Sequence, residues 1–414
     1  MNAHRSPTVT SLEDWLHIHE AELIRFRRDL HAHPELSGEE HRTTAAVTEL
    51  LRNARLSSRV LAIGTGAVCD VGATSASDLT IALRADLDGL AMDDETGTEH
   101  SSTVAGIAHA CGHDVHTTVV LGTGLYFAAH PEELTGGLRL IFQPAEERVP
   151  GGALDVIGDG GIDGVGAIIG VHCEPKLDVG RVAVKDGSIS SAADMAEIRI
   201  CGPGGHTARP ELTVDTITLA GNVITDLPRL VGEKVSALVG NDQAGDEPLV
   251  KLVFGAMQGG DAANVIPTEC VLRASVRTPD LDIWDQLAQL VATSLDEILG
   301  DTAAQYTLSY THGVPPVVND AGITATVRRA ASDAFGSDKV EAAIQSWGGD
   351  DFAWYTREIP GTYVRLGVHD PDGGGPKLDL HAGTFDVDER AIAHGIRTLV
   401  AAVKEFHRSA SAVS

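Results

Sequence analysis

The sequence predicts an α/β protein, with a mostly parallel sheet flanked by helices and a two-layer α+β insertion. Three observations carry this. Between residues 79 and 171, short and almost continuously apolar strands alternate with helical stretches, the pattern of a sheet buried on both faces. From about Gly187 to His312 the strands instead alternate apolar and polar residues, as in a sheet with one open face. Beyond that stretch the buried-strand pattern resumes. A chain of 414 residues also exceeds what one core usually organises. The boundaries drawn are 1–187 with 314–414 for a discontinuous first domain, and 188–313 for the insertion.

The elements follow in order. Ser11 caps a helix over Ser11–His31, with Asp14 as its acidic partner, and Trp15, Ile18, Leu23, Phe26 and Leu30 form its apolar stripe. Pro34 ends it, and a second helix covers Thr43–Ala54. A strand over Leu79–Leu83 runs into Arg84-Ala-Asp86-Leu-Asp88. A helix spans His116–His130. The strand Leu138–Phe142 runs into Gln143-Pro-Ala-Glu146-Glu147, and the strand Ala167–Val171 into His172-Cys-Glu-Pro175. Strands that end in acids and histidines matter, because sites in open α/β sheets form beyond the strands' carboxyl ends. The insertion reads as strand Met195–Ile200, helix Val214–Leu230, strands Leu249–Phe254 and Cys270–Arg277, helix Ile283–Leu299 and strand Gln305–His312. That is a β-α-β-β-α-β order with helices on one face. A helix over Ile323–Phe335, a strand over Tyr363–Gly367 and a helix over Val387–His407 close the chain. Pro371–Pro376 is a flexible loop before His381, and Ser409–Ser414 is expected to fray.

A net charge of −28 disfavours nucleic acid and anionic membranes as partners. Five scattered cysteines do not make a disulfide framework. Met1–Thr10 has no apolar core of a signal peptide, and no apolar run reaches about 18 residues. The reducing cytoplasm is the expected compartment.

The densest chemistry lies in His109-Ala-Cys111-Gly-His113-Asp-Val-His116, with three imidazoles, a thiol and a carboxylate in eight residues. Thiolate and imidazole suit zinc and other late first-row ions, not magnesium or calcium. Gly112 permits a tight turn between Cys111 and His113. A metal hydrolase needs one carboxylate to hold the ion and another to take a proton from water, and Glu146-Glu147 could divide those tasks. An isolated Glu pair is more often a solvated turn; the preceding strand and the Cys/His cluster distinguish this one. His172 at a strand end and His381 after a glycine-rich loop are further candidate donors. Asp86 could fix the tautomer of a metal-binding histidine, against the plainer reading of an Asx turn. In the insertion, His206 in Gly204-Gly-His206-Thr-Ala-Arg-Pro210 could donate to a developing oxyanion. Asn264 and Arg277 suit a substrate carboxylate.

These motifs, with Arg27-Arg28-Asp-Leu-His31-Ala-His-Pro34-Glu35 and Asn264-Val-Ile-Pro267, stand in the order found in the M20 metallopeptidase/amidohydrolase group. Over residues 20–405 or so, the chain resembles its N-acyl-amino-acid amidohydrolases, the branch of hippurate and auxin-conjugate hydrolases. The resemblance implies a di-metal exopeptidase-like catalytic domain with an inserted lid and dimerisation domain, hence a homodimer. It implies two divalent ions (zinc, manganese, cobalt or nickel) on Cys111, His113, Glu147, His172 and His381, with Cys111 the candidate bridge. It makes Glu146 the general base, His206 the oxyanion-stabilising residue, and a small N-acyl amino acid the substrate. One departure stands out: Trp347-Gly-Gly-Asp350-Asp351-Phe352 replaces a Met-Gly-Ser/Ala-Glu-Asp-Phe run, which reshapes the pocket wall. A dipeptidase or aminopeptidase of the same group is disfavoured, because Arg84-Ala-Asp86 stands where such relatives carry His-x-Asp. A non-catalytic metal-dependent binding protein is disfavoured by the intact Glu146 and donor set.

Overall fold

A computed structural model describes residues 11–72, 80–239, 248–373 and 375–411. The expectations for Met1–Thr10, for Leu79 and for the tail from residue 412 fall outside them, as does Gly374 within the Pro371–Pro376 loop. Two compact units form. The first gathers Met1–Gly187, Val318–Ile344 and Trp354–Ser414; the second gathers Ser188–Val317 and Gln345–Ala353. The division groups residues 345–353 with the second unit, a stretch the sequence reading placed in the first domain.

The first unit opens with α1 (Leu12–Ala32), where the Ser11 hydroxyl accepts the Asp14 N–H at 3.1 Å. Helix α2 (His41–Asn53) starts earlier than Thr43 because the Glu35 carboxylate accepts the N–H groups of Arg42 and Thr43, each at 2.8 Å. Strands β1 (Ser58–Val60), β2 (Ala67–Val71) and β3 (Thr80–Asp86) follow. Helix α3 (His113–Ala129) begins three residues ahead of the expected start, because Gly112 at φ 86° turns the chain and its carbonyl accepts from Val115 and His116. Then come β4 (Gly137–Gln143), α4 (Ala153–Gly158), β5 (Ala167–Asp178) and β6 (Val182–Val184).

The second unit is built from β7 (Ala193–Cys201), β8 (Gly205–His206), α5 (Thr216–Val239), β9 (Lys251–Gln258), β10 (Val265–Ile266), β11 (Glu269–Arg277), α6 (Leu281–Trp284), α7 (Leu287–Leu299) and β12 (Gln305–Val314). The chain returns to the first unit with α8 (Ala321–Phe335), β13 (Val340–Ala342), β14 (Gly361–His369) and α9 (Arg390–Ser411). Residues 409–411 continue that last helix rather than fraying.

The first unit's sheet runs β1-β2-β4-β3-β5-β14-β6-β13. Its centre, β4-β3-β5-β14, is parallel throughout, as the apolar strands predict. Antiparallel pairs flank it at β1/β2, β2/β4 and β14/β6. Strand β5 runs well past Val171 because β14 pairs with it through Glu174, placing His172 opposite Arg365 within the strand. Register aligns the site: Asp86 pairs with Gln143, and Arg84 pairs with Gly170, two residues before His172. Helix α3 is buried on nearly every face.

In the second unit, β9-β11-β7-β12 form an antiparallel sheet. Ala196, Ile198 and Ile200 of β7 are buried, while Met195 on the other face is 55% exposed. The single helix expected over Ile283–Leu299 is two: Asp280 caps α6 through the Ile283 N–H at 2.9 Å, and α7 starts afresh at Leu287. The Trp284 indole N–H donates to buried Asp194, which also accepts from the Tyr310 hydroxyl and the Gly313 N–H. Among the described residues, no helix is long and apolar enough to cross a membrane.

His394 on α9 generates a pH test. Its ring packs 4.2 Å from that of Phe335, and burial, helped by Arg397 and Lys339, pushes it down to about 4. As pH falls below about 6.5 the unfolded chain takes up this proton, while the folded chain does not until near 4, so stability drops across that window. Urea denaturation of wild type and His394→Phe should diverge by about 2 kcal/mol between pH 7 and pH 5, the variant losing less.

Candidate metal centre

The carboxyl ends of β3, β4 and the middle of β5 bring distant residues together. Cys111, His113 and Glu147 place their donor atoms within 4.8 Å of one another. The His172 Nε2 lies 3.6 Å from Cys111 Sγ, and the His381 Nε2 lies 3.2 Å from Glu147 Oε1. All five residues singled out as donors therefore form one connected group in the first unit. Glu146 borders it, with Oε2 3.8 Å from His113 Nε2.

Each donor is aimed by a specific partner. Gly112 forms the turn between Cys111 and α3; a Cβ there would stand 2.7 Å from Cys173 Sγ, so only glycine fits both the left-handed φ and the space. The His113 Nδ1 faces the Asp88 carbonyl at 2.9 Å and the Asp88 carboxylate at 3.3 Å, which leaves Nε2 toward the other donors. The His172 Nδ1 lies 2.7 Å from the Cys173 carbonyl, so the ring donates there and turns the Nε2 lone pair to Cys111. Burial, with Arg365 and His116 nearby, pushes His172 well below the usual histidine range and keeps it neutral, as a ligand must be. The Glu147 N–H donates to Asp88 Oδ2 at 2.9 Å. His381 sits at φ 59° with its N–H on the Ala110 carbonyl at 2.8 Å, tying its loop to the Cys111 turn.

The three imidazoles of the His109–His116 run have separate fates. Only His113 faces the donors. His116 has its Nδ1 2.6 Å from Asp86 Oδ1, and its Nε2 accepts the Cys173 N–H at 2.8 Å, so both nitrogens are engaged. His109 is buried beside His31, ring centroids 6.3 Å apart. Asp86 thus orients His116 directly, and it is Asp88 that sets the tautomer of His113. Although burial opposes its charge, His113, His116 and Arg84 hold the Asp86 carboxyl well below the usual carboxylate range. The motifs include Asp88 and His116 but assign neither a role; the i, i+2 spacing of Asp86 and Asp88 as the chain leaves β3 is the available signal.

A cation fits this centre. The His113 Nε2 is buried and has no hydrogen-bond partner among the described residues. Three carboxylates face it, Asp86 at 3.7 Å, Glu146 at 3.8 Å and Glu147 at 3.9 Å, all beyond hydrogen-bond reach. Burial alone would remove the His113 proton, yet Asp86, Asp88 and Glu147 outweigh it and raise the imidazolium to about 10. Positive charge is favoured at that spot, and thiolate, imidazole and carboxylate together select a late first-row divalent ion.

His206, Asn264 and Arg277 belong to the second unit. His206 pairs with Val265 across the β8/β10 ribbon, and the Ala208 N–H donates to its Nδ1 at 3.0 Å. Asn264 is exposed beside Val265, and its carbonyl accepts the Thr207 N–H at 3.3 Å. Arg277, at the end of β11, donates to the Trp347 carbonyl at 3.0 Å, and Lys251 Nζ stands 3.9 Å from the centroid of the Trp347 ring.

Fold and donor set together define a metal-dependent hydrolase built on an α/β sheet. The chain belongs to peptidase family M20/M25/M40, whose model matches residues 82–405. A Rhodococcus jostii (strain RHA1) protein named as a glutamate–cysteine ligase is 42% identical over 382 residues, a match covering 92% of this chain and 46% of that relative. The chain thus spans about half the length of that protein. An N-acetyl-L-cysteine deacetylase of Bacillus subtilis (strain 168) is 37% identical over 373 residues, covering 90% of this chain and 85% of the relative. A solved dinuclear metal-binding peptidase of the M20 family from Bacillus subtilis is similar with a TM-score of 0.81 at 30% identity, covering 95% of this chain and 99% of that one. The family read from the motifs is the family found.

Two outcomes follow from the geometry. Gly112→Ala should lower the urea-unfolding free energy of the metal-free protein by about 2 kcal/mol or more, since strain and overpacking coincide. Metal uptake must displace the proton that Asp86 and Asp88 hold on His113, and the one that the Glu147 hydrogen bond favours on His381. Cobalt affinity, measured by calorimetry against a competing chelator, should therefore weaken by about tenfold or more per unit as pH falls from 8 to 6. A flat profile would remove His113 from the donor set.

Proposed function

We propose that the protein hydrolyses the amide bond joining an acyl group to the amine of an amino acid, at a two-metal centre. The observation that supports this most is the His113 Nε2, facing three carboxylates beyond hydrogen-bond reach, with Cys111 and Glu147 as neighbouring donors. Cys111, His113, Glu147, His172 and His381 would hold the two divalent ions. When bound, such ions acidify a water and polarise a carbonyl.

The chain's own groups supply the rest. Glu146 borders the donor group beside His113, and its carboxylate is the group assigned to carry the proton. It takes that proton from the attacking water and delivers it to the departing amine. Asp88 and Asp86 keep His113 and His116 in fixed orientations, so the centre is set before substrate arrives. His206 is assigned to the tetrahedral oxyanion, and Asn264 with Arg277 to the substrate carboxylate. Homodimer formation is assigned to the second unit on the strength of the family resemblance. The relative named as an N-acetyl-L-cysteine deacetylase makes N-acetylcysteine the first substrate to try.

The test is turnover of N-acetyl and N-benzoyl amino acids, N-acetylcysteine included, with unblocked dipeptides in the same panel. Acylated amino acids should be cleaved and dipeptides should not. Chelation should abolish turnover, and added zinc, manganese, cobalt or nickel should restore it. Glu146→Gln should lower kcat by about 10²- to 10⁴-fold while binding metal as wild type does. Turnover that survives thorough chelation, or a Glu146→Gln enzyme near full rate, would refute the mechanism.

A further inference from the structure

The two adjacent glutamates stand on an unusual piece of backbone. Ala145, just before Glu146, has φ 56°, a left-handed conformation that residues with a Cβ rarely adopt. Its carbonyl accepts the Gly152 N–H at 2.9 Å. Its N–H donates to Glu40 Oε1 at 2.7 Å, across 105 residues of sequence. On the other side of Glu146, the Glu147 N–H is held separately by Asp88.

Glu40 is fully buried. It stands at the N-cap of α2, yet its side chain does not cap that helix. Glu35 does so instead, through the N–H groups of Arg42 and Thr43. Glu40 is thereby released to turn inward, where Oε1 accepts from Gly38 and Ala145. Its Oε2 has no hydrogen-bond partner among the described residues, and burial pushes the carboxyl up, with Asp88 adding to the effect. A buried carboxylate with one unsatisfied oxygen is unfavourable for folding, so local stability does not explain its place. Its non-local bond goes to the strained residue that aims Glu146.

We propose that Glu40 is a positioning residue for the hydrolytic reaction, acting through the Ala145 N–H to hold the left-handed turn that points Glu146. The inference rests on the reading of Glu146 as the proton carrier. Removing the Glu40 acceptor leaves the Ala145 N–H buried and unpaired, and the turn relaxes. Asp88 still holds Glu147, so the metal donors stay. The signature is loss of rate with metal retained.

The experiment compares Glu40→Ala and Glu40→Gln with wild type and Glu146→Gln, all metal-loaded. In Glu40→Ala, kcat should fall about 10- to 100-fold, the scale of an ångström's misplacement, with KM and metal stoichiometry little changed. Amide hydrogen exchange over residues 143–148 should accelerate about tenfold or more, while α2, capped by Glu35, stays protected. Glu40→Gln keeps an acceptor oxygen and should restore both slow exchange and most of kcat. Full kcat and unchanged exchange in Glu40→Ala, beside an inactive Glu146→Gln, would overturn this inference alone. Full kcat in Glu146→Gln would overturn the proton-carrier reading instead. If Glu40→Ala does not fold, Glu40→Gln decides: slow exchange with most of kcat supports the acceptor role, and slow exchange with kcat lost overturns it.

Discussion

Everything at the centre depends on two carboxylates, one at the end of a buried strand and one just beyond it. Asp86 is the last residue of β3 and Asp88 follows two residues later, and both carboxylates come close to the His113 ring. Asp88 takes the His113 ring, the Glu147 N–H and the Ser37 hydroxyl. Asp86 takes His116, whose other nitrogen receives the Cys173 N–H beside His172. Through these two residues a single strand end sets the direction of donors from α3, from the loop after β4 and from β5. The parallel register does the remainder, since Asp86, Gln143 and the approach to His172 lie at matching heights.

That arrangement carries an electrostatic consequence. Gathering buried Asp86 and Asp88 with half-buried Glu146 and Glu147 around one point is unfavourable unless positive charge joins them. The fold contributes some of it. Arg84, fully buried, donates to Asp86 at 2.5 Å and to the Gln143 side chain at 2.8 Å, which also receives the Tyr355 hydroxyl at 3.0 Å. A proton on His113 fills part of that need, and divalent ions fill it better. Affinity for cations and sensitivity to pH thus arise from one feature, an excess of carboxylate over fixed cation.

Much of this was legible in the sequence. Strands running directly into Asp86, Glu146 and His172 announced a site at the carboxyl edge of a parallel sheet, and Cys111 with His113 announced its chemistry. What was not legible has physical reasons. The roles of Asp88 and His116 depend on which ring nitrogen meets which oxygen, and spacing does not encode that. The edge strands β1 and β13, and β6 next to β13, are three residues each, too short to show a period. The end of β5 is set by pairing with β14, nearly 200 residues away in sequence, rather than by its own composition. The start of α2 moved because Glu35, outside the helix, supplies the cap. The apolar periodicity of Ile283–Leu299 runs on through Asp285 and Gln286, where the backbone makes two helices.

The Arg27-Arg28-Asp-Leu-His31 motif, which spacing alone left without a task, is explained by α3. Asp114 in the first turn of that helix is fully buried, and the Arg27 guanidinium, equally buried, donates to it at 2.6 Å. The His31 Nδ1 lies 2.9 Å from the same carboxylate oxygen, and its Nε2 lies 3.3 Å from Asp94. Although burial opposes its charge, Arg27 and His31 hold the Asp114 carboxyl far below the usual range. Removing one partner of such a buried pair typically costs about 3–5 kcal/mol, because the other is stranded without water. The pair therefore fixes the rotation of α3 about its own axis. His113 precedes Asp114 by one residue, about 100° around the helix, and its ring faces Asp88. An imidazole aimed by Asp88 and a helix clamped by Arg27 through the next residue together hold His113 in one orientation, which a shared centre built from separate elements requires.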